Sequence, residues 1–117
     1  MDLKAITAKQ KAFDASHGWD FSTASGGELL QRLAFLTIAL NGEAGEFSNL
    51  VKKLLREAGA TKVVPEFSSN QRLREELVDV FIYTIILAYQ VFGMDLEAEY
   101  LKKLAANEEK LKQFEKG

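Results

Sequence analysis

The chain of 117 residues carries 15 lysines and arginines against 17 aspartates and glutamates, and its formal net charge of -2 argues against a generally basic nucleic-acid or membrane surface. With 47% hydrophobic residues it is long enough for one core and too short for two, so 1–117 is treated as a single domain. Cysteine is absent, which excludes disulfides and thiolate metal sites, and neither an apolar signal segment nor a membrane span is evident; a cytoplasmic location is the expectation.

Helical apolar repeats with short connections and no strand alternation predict an all-α fold, a four-helix bundle. Gly59 is expected to end the second helix in a left-handed cap, and Gly93 to end the third. Asn70 or a neighbouring serine caps the third helix and Asp95 the fourth. Because "GMD" is a short connection, the third and fourth helices are predicted to be antiparallel neighbours. The helices are expected at about Leu3 to Ala15, Glu28 to Glu57, Gln71 to Phe92 and Asp95 to Gln113.

The second helix has a glutamate where its apolar seam calls for a hydrophobic residue. The apolar seam consists of Leu29, Leu33, Leu36, Leu40, Phe47, Leu50 and Leu54. Glu43 occupies the seam position between Leu40 and Phe47, and Glu46 lies one turn further on a neighbouring stripe. A glutamate that loses its hydration there needs a compensating partner. Gly42 directly precedes Glu43, and Gly45 directly precedes Glu46. Glycine inside a helix is tolerated where another backbone or a ligand must come close to the helix.

The third helix repeats the arrangement, since Glu76 lies on the seam of Leu73, Val80 and Leu87, and Asp79 follows three residues later. Four facing carboxylates repel one another unless they share a cation, and oxygen ligands favour Mg²⁺ or Mn²⁺. The alternative is that the acids face solvent or pair with basic residues, as single acidic pairs on helices usually do. The basic residues available for this are Arg32, Lys53, Arg72 and Arg74.

The stretches "GEAGEFSNLVKK", "EELVDVFIY" and "LEAEYLKKLAANEEKLKQF", in that order, resemble the MazG-like all-α nucleoside triphosphate pyrophosphohydrolases over most of the chain. The family's Glu-x-x-Glu and Glu-x-x-Asp motifs fall on Glu43, Glu46, Glu76 and Asp79. One departure is Val78, where many relatives have glycine. The resemblance implies that the four acids bind Mg²⁺ and that the protein cleaves nucleoside triphosphates between the α and β phosphates. Glu46 is the first candidate for general base, with Glu43 as the alternative.

Candidate substrate contacts lie on four segments. Lys53 is two turns beyond Glu46 and suits the triphosphate. The resemblance places Lys103 and Asn107 of the fourth helix near the phosphates or sugar. Tyr83 is expected on the same face as Asp79, as a ligand contact or a core tyrosine. The aromatic segment "FDASHGWDF" is the candidate base-binding region through His17, Trp19 and Phe21, or it plugs the end of the bundle.

The apolar surface of the helices predicts a homo-oligomer, and the resemblance implies a homodimer or homotetramer with sites near the interface. A tryptophan like Trp19 precedes the first acidic helix in the dCTP-cleaving branch of the family, which favours a pyrimidine deoxynucleotide. Nucleotide-pool house-cleaning is the expected role, with control of a signalling nucleotide as the alternative. Two alternatives stay open. One is a relative that acts on dUTP or phosphoribosyl-ATP, and the other is a catalytically silent helical module that binds a nucleotide or a protein.

Overall fold

The computed structural model describes residues 1–21 and 24–115, and these residues form helices and connections without a strand. The all-α prediction is therefore confirmed for the described part of the chain. A π-helical segment, Ile86–Val91, continues the third helix directly. The helices are α1 (Leu3–Ser16), α2 (Gly26–Thr61), α3 (Gln71–Ile85) and α4 (Leu96–Glu115).

The packed centre of the molecule is the antiparallel pair of α2 and α3. Leu36, early in α2, packs with Ile86 beyond the end of α3, whereas Leu54, late in α2, shares a groove with Leu73 at the start of α3. Every apolar residue of the two predicted seams is buried or half-buried. The seams read from the sequence are thus the faces by which this pair packs, and Glu43 and Glu76 lie in line with them.

Several helix ends follow the predicted local rules. The side chain of Asn70 accepts a hydrogen bond from the Leu73 amide at 3.2 Å, and that of Asp95 accepts one from the Ala98 amide at 3.2 Å. Gly93 has φ +60°, a left-handed conformation that glycine adopts without steric strain. These two caps and the glycine stop after the third helix are confirmed.

The prediction that Gly59 ends α2 is wrong. The helix continues to Thr61, and the left-handed residue is Lys62 with φ +63°, whose amide donates to the Ala58 carbonyl at 2.9 Å. Gly59 stays inside the helix, where glycine costs only about 1 kcal/mol relative to alanine. That cost is small enough for a helix of 36 residues to absorb.

The fourth helix departs from the predicted bundle. α4 is bent by 106° from Gln71–Val91, so the prediction of antiparallel third and fourth helices is wrong. The connection fixes this direction, because the Met94 amide donates to the Ala88 carbonyl at 2.9 Å and the Leu96 amide donates to the Tyr89 hydroxyl at 3.1 Å. The described side chains of α4 beyond Leu96 are all exposed. The helical bundle of the single chain is therefore formed by α1, α2 and α3 with its π-helical continuation, and its completion by the fourth helix stays a prediction.

The shape of the single chain is extended. Its radius of gyration is 18.5 Å, whereas a compact domain of this length has about 13 Å. Its accessible surface is 8910 Å², against about 6,400 Å² for a compact monomer of the same mass. None of the described helices is by itself both long and apolar enough to cross a membrane; the bent pair Gln71–Val91 and Leu96–Phe114 reaches that length and hydropathy only together.

Candidate metal and nucleotide site

Three carboxylates from two helices meet in the middle of the α2–α3 pair. Oxygens of Glu43 and Glu46 on α2 and of Glu76 on α3 all lie within 4.8 Å of one another. The first two project together because residues three apart share a helix face, and the antiparallel pairing brings Glu76 opposite them. The structure therefore brings together three of the four predicted acids, which we call the acidic cluster.

The fourth acid, Asp79, lies one turn beyond Glu76 on α3 and is half-buried. It lines a cavity together with Glu43, and its charge contributes to raising the pKa of Glu76. Asp79 thus belongs to the same acidic region, although its oxygens are not among the three that lie closest together.

The carboxylates of the acidic cluster repel one another unless they share a proton or a cation. The neighbouring Glu43 carboxyl raises the pKa of Glu76 most, because it stabilises the protonated form, and removal from water raises it further, while Glu46 partly opposes both. The Glu76 Oε2 atom is buried and has no hydrogen-bond partner. A buried carboxylate oxygen without a partner is unstable, so the cluster favours either a proton or a cation at this point.

Basic side chains do not neutralise the acidic cluster. Within residues 1–21 and 24–115, the one ion pair joins Arg32 to Glu28 at 2.9 Å. Lys53, Arg72 and Arg74 are exposed and form no ion pair with the cluster. The alternative of ordinary surface pairing is therefore not what this geometry shows.

The residues of the acidic cluster fit a hard divalent cation. Its donors are carboxylate oxygens, which Mg²⁺ and Mn²⁺ prefer, and its three members come close enough to share one ion. A cation there would give the Glu76 Oε2 atom a partner and offset the mutual repulsion of the carboxylates. Glu43, Glu46 and Glu76 would hold the ion, with Asp79 beside them.

A cavity of about 470 Å³ connects the acids with the aromatic segment. Its walls include Glu43 and Asp79 as well as the four aromatic candidates His17, Trp19, Phe21 and Tyr83. The cavity thus brings two of the four predicted acids together with aromatic side chains, the kind of residue that stacks on a nucleotide base.

The aromatic residues of this cavity differ in their accessibility. The Trp19 side chain is 45% exposed and its ring lies 5.4 Å from that of Phe35. His17 is exposed and its ring lies 4.3 Å from that of Phe13. Phe21, by contrast, is only 4% exposed and packs in the core with Leu36. Trp19 and His17 therefore present rings that a base can reach, whereas Phe21 is a wall and a core residue.

The predicted phosphate contacts are less well placed in the single chain. Lys53 is exposed on α2. Lys103 and Asn107 lie on α4, which leaves α3 at a large angle, and neither residue lines the cavity. These two residues need another arrangement of α4, or another chain, to reach a phosphate.

Two further observations differ from the sequence expectations. A Cβ atom placed on Gly42 or Gly45 would meet nothing within 4 Å, so the close backbone approach expected at these glycines is not made within the chain. The cavity is also lined by Gln10, Asp14 and Phe35, which are not among the predicted site residues. Phe35 lies off the α2 seam, and an acid near the end of a helix gives no signal of burial.

Comparison with known proteins adds no neighbour to this geometry. No family model matches the chain, and neither a curated protein nor a solved structure matches it.

Proposed function

We propose that this protein is a Mg²⁺-dependent nucleoside triphosphate pyrophosphohydrolase of the MazG-like all-α type. It converts a (d)NTP into a (d)NMP and pyrophosphate in nucleotide-pool house-cleaning, with a pyrimidine deoxynucleotide such as dCTP favoured. One observation carries the proposal. Glu43, Glu46 and Glu76 approach within 4.8 Å beside a cavity that is also lined by the exposed Trp19 ring.

The acidic residues would bind the metal ion, and one of them would also act as the general base. Glu43, Glu46, Glu76 and Asp79 would hold Mg²⁺, or Mn²⁺ in its place, and the bound ion would neutralise phosphate charge and lower the pKa of a water. The exposed carboxylate of Glu46 would accept the proton of the attacking water, with Glu43 as the alternative base. The water oxygen attacks the α-phosphorus, the bond from this phosphorus to the α–β bridging oxygen breaks, and pyrophosphate leaves.

The aromatic part of the cavity would bind the nucleoside. Trp19 stacks on the base and His17 lies at the edge of the same cavity, while Tyr83 contacts the ligand closer to Asp79. Lys53 is proposed to bind the triphosphate through its positive charge.

The same proposal includes a homodimer or homotetramer. The accessible surface exceeds the compact-monomer value by roughly 2,500 Å², and a standard interface removes about 800 Å² per partner. α4 presents Tyr100, Leu104 and Leu111 at heptad-like spacing, with side chains 49% to 61% exposed. A second copy that covers this helix would also bring Lys103 and Asn107 against another chain, where they complete its phosphate site.

The test is direct detection of pyrophosphate. Purified protein is incubated with each common and damaged dNTP and NTP in Mg²⁺, alongside Glu46→Gln and Asp79→Asn. Glu57→Gln, an exposed acid further along α2, is the matched control. Pyrophosphate release by the wild type and the control, lost in both acidic-region variants, is the expected result. If no nucleotide is cleaved with Mg²⁺ or Mn²⁺, the catalytically silent binding module replaces the enzyme.

A further inference from the structure

A buried carboxylate outside the acidic cluster occupies a central position beside the same cavity. Asp14, near the end of α1, is 7% exposed. Its Oδ1 atom accepts a hydrogen bond from the side-chain Nε2 of Gln10 at 2.9 Å, and its Oδ2 atom accepts one from the side-chain Nε2 of Gln90 at 2.8 Å. Both carboxylate oxygens thus have a partner, and hydrogen bonds to an ionised acceptor are the stronger kind. Burial of this charge is compensated by two side-chain amides.

The main chain of the same residue holds the aromatic segment. The Asp14 carbonyl accepts the Trp19 amide at 2.7 Å and the His17 amide at 3.1 Å. The Trp19 ring then packs 5.4 Å from the Phe35 ring on α2. Any shift of Asp14 would therefore displace the backbone that carries the two accessible rings of the cavity.

The second anchor, Gln90, belongs to the π-helical segment that continues α3. The Phe92 amide at the end of this segment donates to the Leu87 carbonyl, five residues back, at 2.9 Å. Ile86 of the same segment is 6% exposed and lines the cavity. Single π-helical turns in α-helices are frequent at functional sites. Here the π-helical segment forms part of the cavity wall and also supplies the hydrogen bond to Asp14.

We propose that Asp14 is a positioning residue for base recognition: hydrogen-bonded to Gln10 and Gln90, it fixes the segment that presents Trp19 to the cavity. It thereby sets how tightly the base of the nucleotide binds, which rests on the proposed function. Asp14 takes no part in the bond-breaking step, so its loss acts on substrate binding.

The experiment uses Gln90→Glu, which sets a second carboxylate against Asp14, and the double variant Asp14→Asn with Gln90→Glu. In the double variant the new amide donates to the new carboxylate, so the hydrogen bond is restored with its roles exchanged. Trp19 is the single tryptophan of the chain, and acrylamide quenching of its fluorescence reports its position without any nucleotide. Gln113→Glu, on the exposed face of α4, is the matched control.

The expected result is greater quenching of Trp19 in Gln90→Glu and wild-type quenching in the double variant and the control. With the nucleotide that the wild type cleaves, KM rises about tenfold in Gln90→Glu with little change in kcat, which is the factor expected from one hydrogen bond to a charged group. The double variant regains the wild-type KM. Gln90→Met, which removes the donor without adding charge, takes the place of Gln90→Glu if that variant does not fold.

Unchanged quenching in a folded Gln90 variant would overturn the positioning role, and so would a kcat loss that the exchanged pair does not restore. The fluorescence result is independent of catalysis. If quenching follows the exchange while neither wild type nor variants hydrolyse any nucleotide, Asp14 does position Trp19 and the proposed function is the part that fails.

Discussion

Two neighbouring stretches of the α2–α3 pair are left open in the single chain for different chemical reasons. At the acidic cluster, a carboxylate oxygen of Glu76 is buried without a partner among like charges. In the groove next to it, large apolar side chains remain exposed, among them Leu55 at 72% and Val64 at 75%. The first stretch has unbalanced charge and the second has uncovered hydrophobic surface.

The difference indicates two kinds of partner. Unbalanced negative charge is relieved by a cation and is insensitive to added apolar surface, whereas exposed apolar surface is covered by another protein surface. A substitution in the acidic cluster should therefore change metal binding and hydrolysis but not assembly, and one on an exposed apolar face should change assembly first.

The largest effect is expected from Glu76→Gln, which removes a charge from the centre of the acidic cluster. Pyrophosphate release should fall by roughly 100-fold or more, because an amide is a poorer ligand for Mg²⁺ than a carboxylate. The oligomeric state, measured by sedimentation, should stay the same. Glu75→Gln, the exposed neighbour on α3, is the control and should retain activity. Equal activity of the two variants would remove Glu76 from the site.

The next effect concerns α4. Leu104→Glu together with Leu111→Glu places charges on its exposed apolar stripe, and each leucine buried in an interface contributes about 1.5–3 kcal/mol. The double variant should therefore sediment as a monomer at concentrations where the wild type is a dimer or tetramer. Ala106→Glu lies on the same exposed helix away from the stripe and should leave assembly intact. A wild-type protein that is monomeric at all concentrations would contradict the proposed assembly.

A smaller effect is expected at the aromatic part of the cavity. Trp19→Ala should raise KM by about 5-fold to 150-fold, because stacking of one base on an aromatic ring contributes about 1–3 kcal/mol. Phe67→Ala is the matched control, since Phe67 is an exposed aromatic residue of the apolar groove. If both variants raise KM equally, the effect is not specific to the cavity, and Trp19 is not the residue on which the base stacks.

Capping preferences and helical periodicity were sufficient to predict much of this fold and the acidic residues of the candidate site. The caps at Asn70 and Asp95 depend on side chains within three residues of the amides that they accept, and seam positions follow from helical periodicity. The same periodicity placed Glu43 and Glu76 on facing seams, and an antiparallel pair of helices is enough to bring them together.

The features that sequence did not predict depend on contacts between distant residues. Asp14 and Gln90 are 76 positions apart, and nothing local marks either as a hydrogen-bond partner of the other. The direction of α4 depends on the π-helical segment and on the Tyr89 hydroxyl, which an α-helical pattern through Phe92 cannot reveal. The family resemblance placed Lys103 and Asn107 near the phosphates or sugar, but α4 is bent away from α3 and neither residue lines the cavity.

The smallest expected effect is a pH dependence of stability, to which Glu76 and Glu66 contribute in opposite directions. The pKa of Glu76 is raised above its ordinary value of 4.5, mainly by the Glu43 carboxyl. The pKa of Glu66 is lowered from the same value, mainly by its hydrogen bond from the Ser68 hydroxyl at 2.6 Å. The folded protein thus binds the Glu76 proton more tightly than the unfolded chain does, and the Glu66 proton less tightly.

The two shifts give stability changes in different pH windows. Without divalent metal, the melting temperature should fall as pH rises above 4.5 because of Glu76, and it should also fall as pH drops below 4.5 because of Glu66. Glu76→Gln should reduce the fall of the melting temperature above pH 4.5, and Glu66→Gln should reduce only the fall below pH 4.5. Mg²⁺ at about 100 times its dissociation constant should raise stability near neutral pH by about 2.7 kcal/mol in the wild type. If the melting temperature of Glu76→Gln falls above pH 4.5 as much as that of the wild type, repulsion within the acidic cluster does not cause the fall. The proposal of a cation at the cluster would then fail as well.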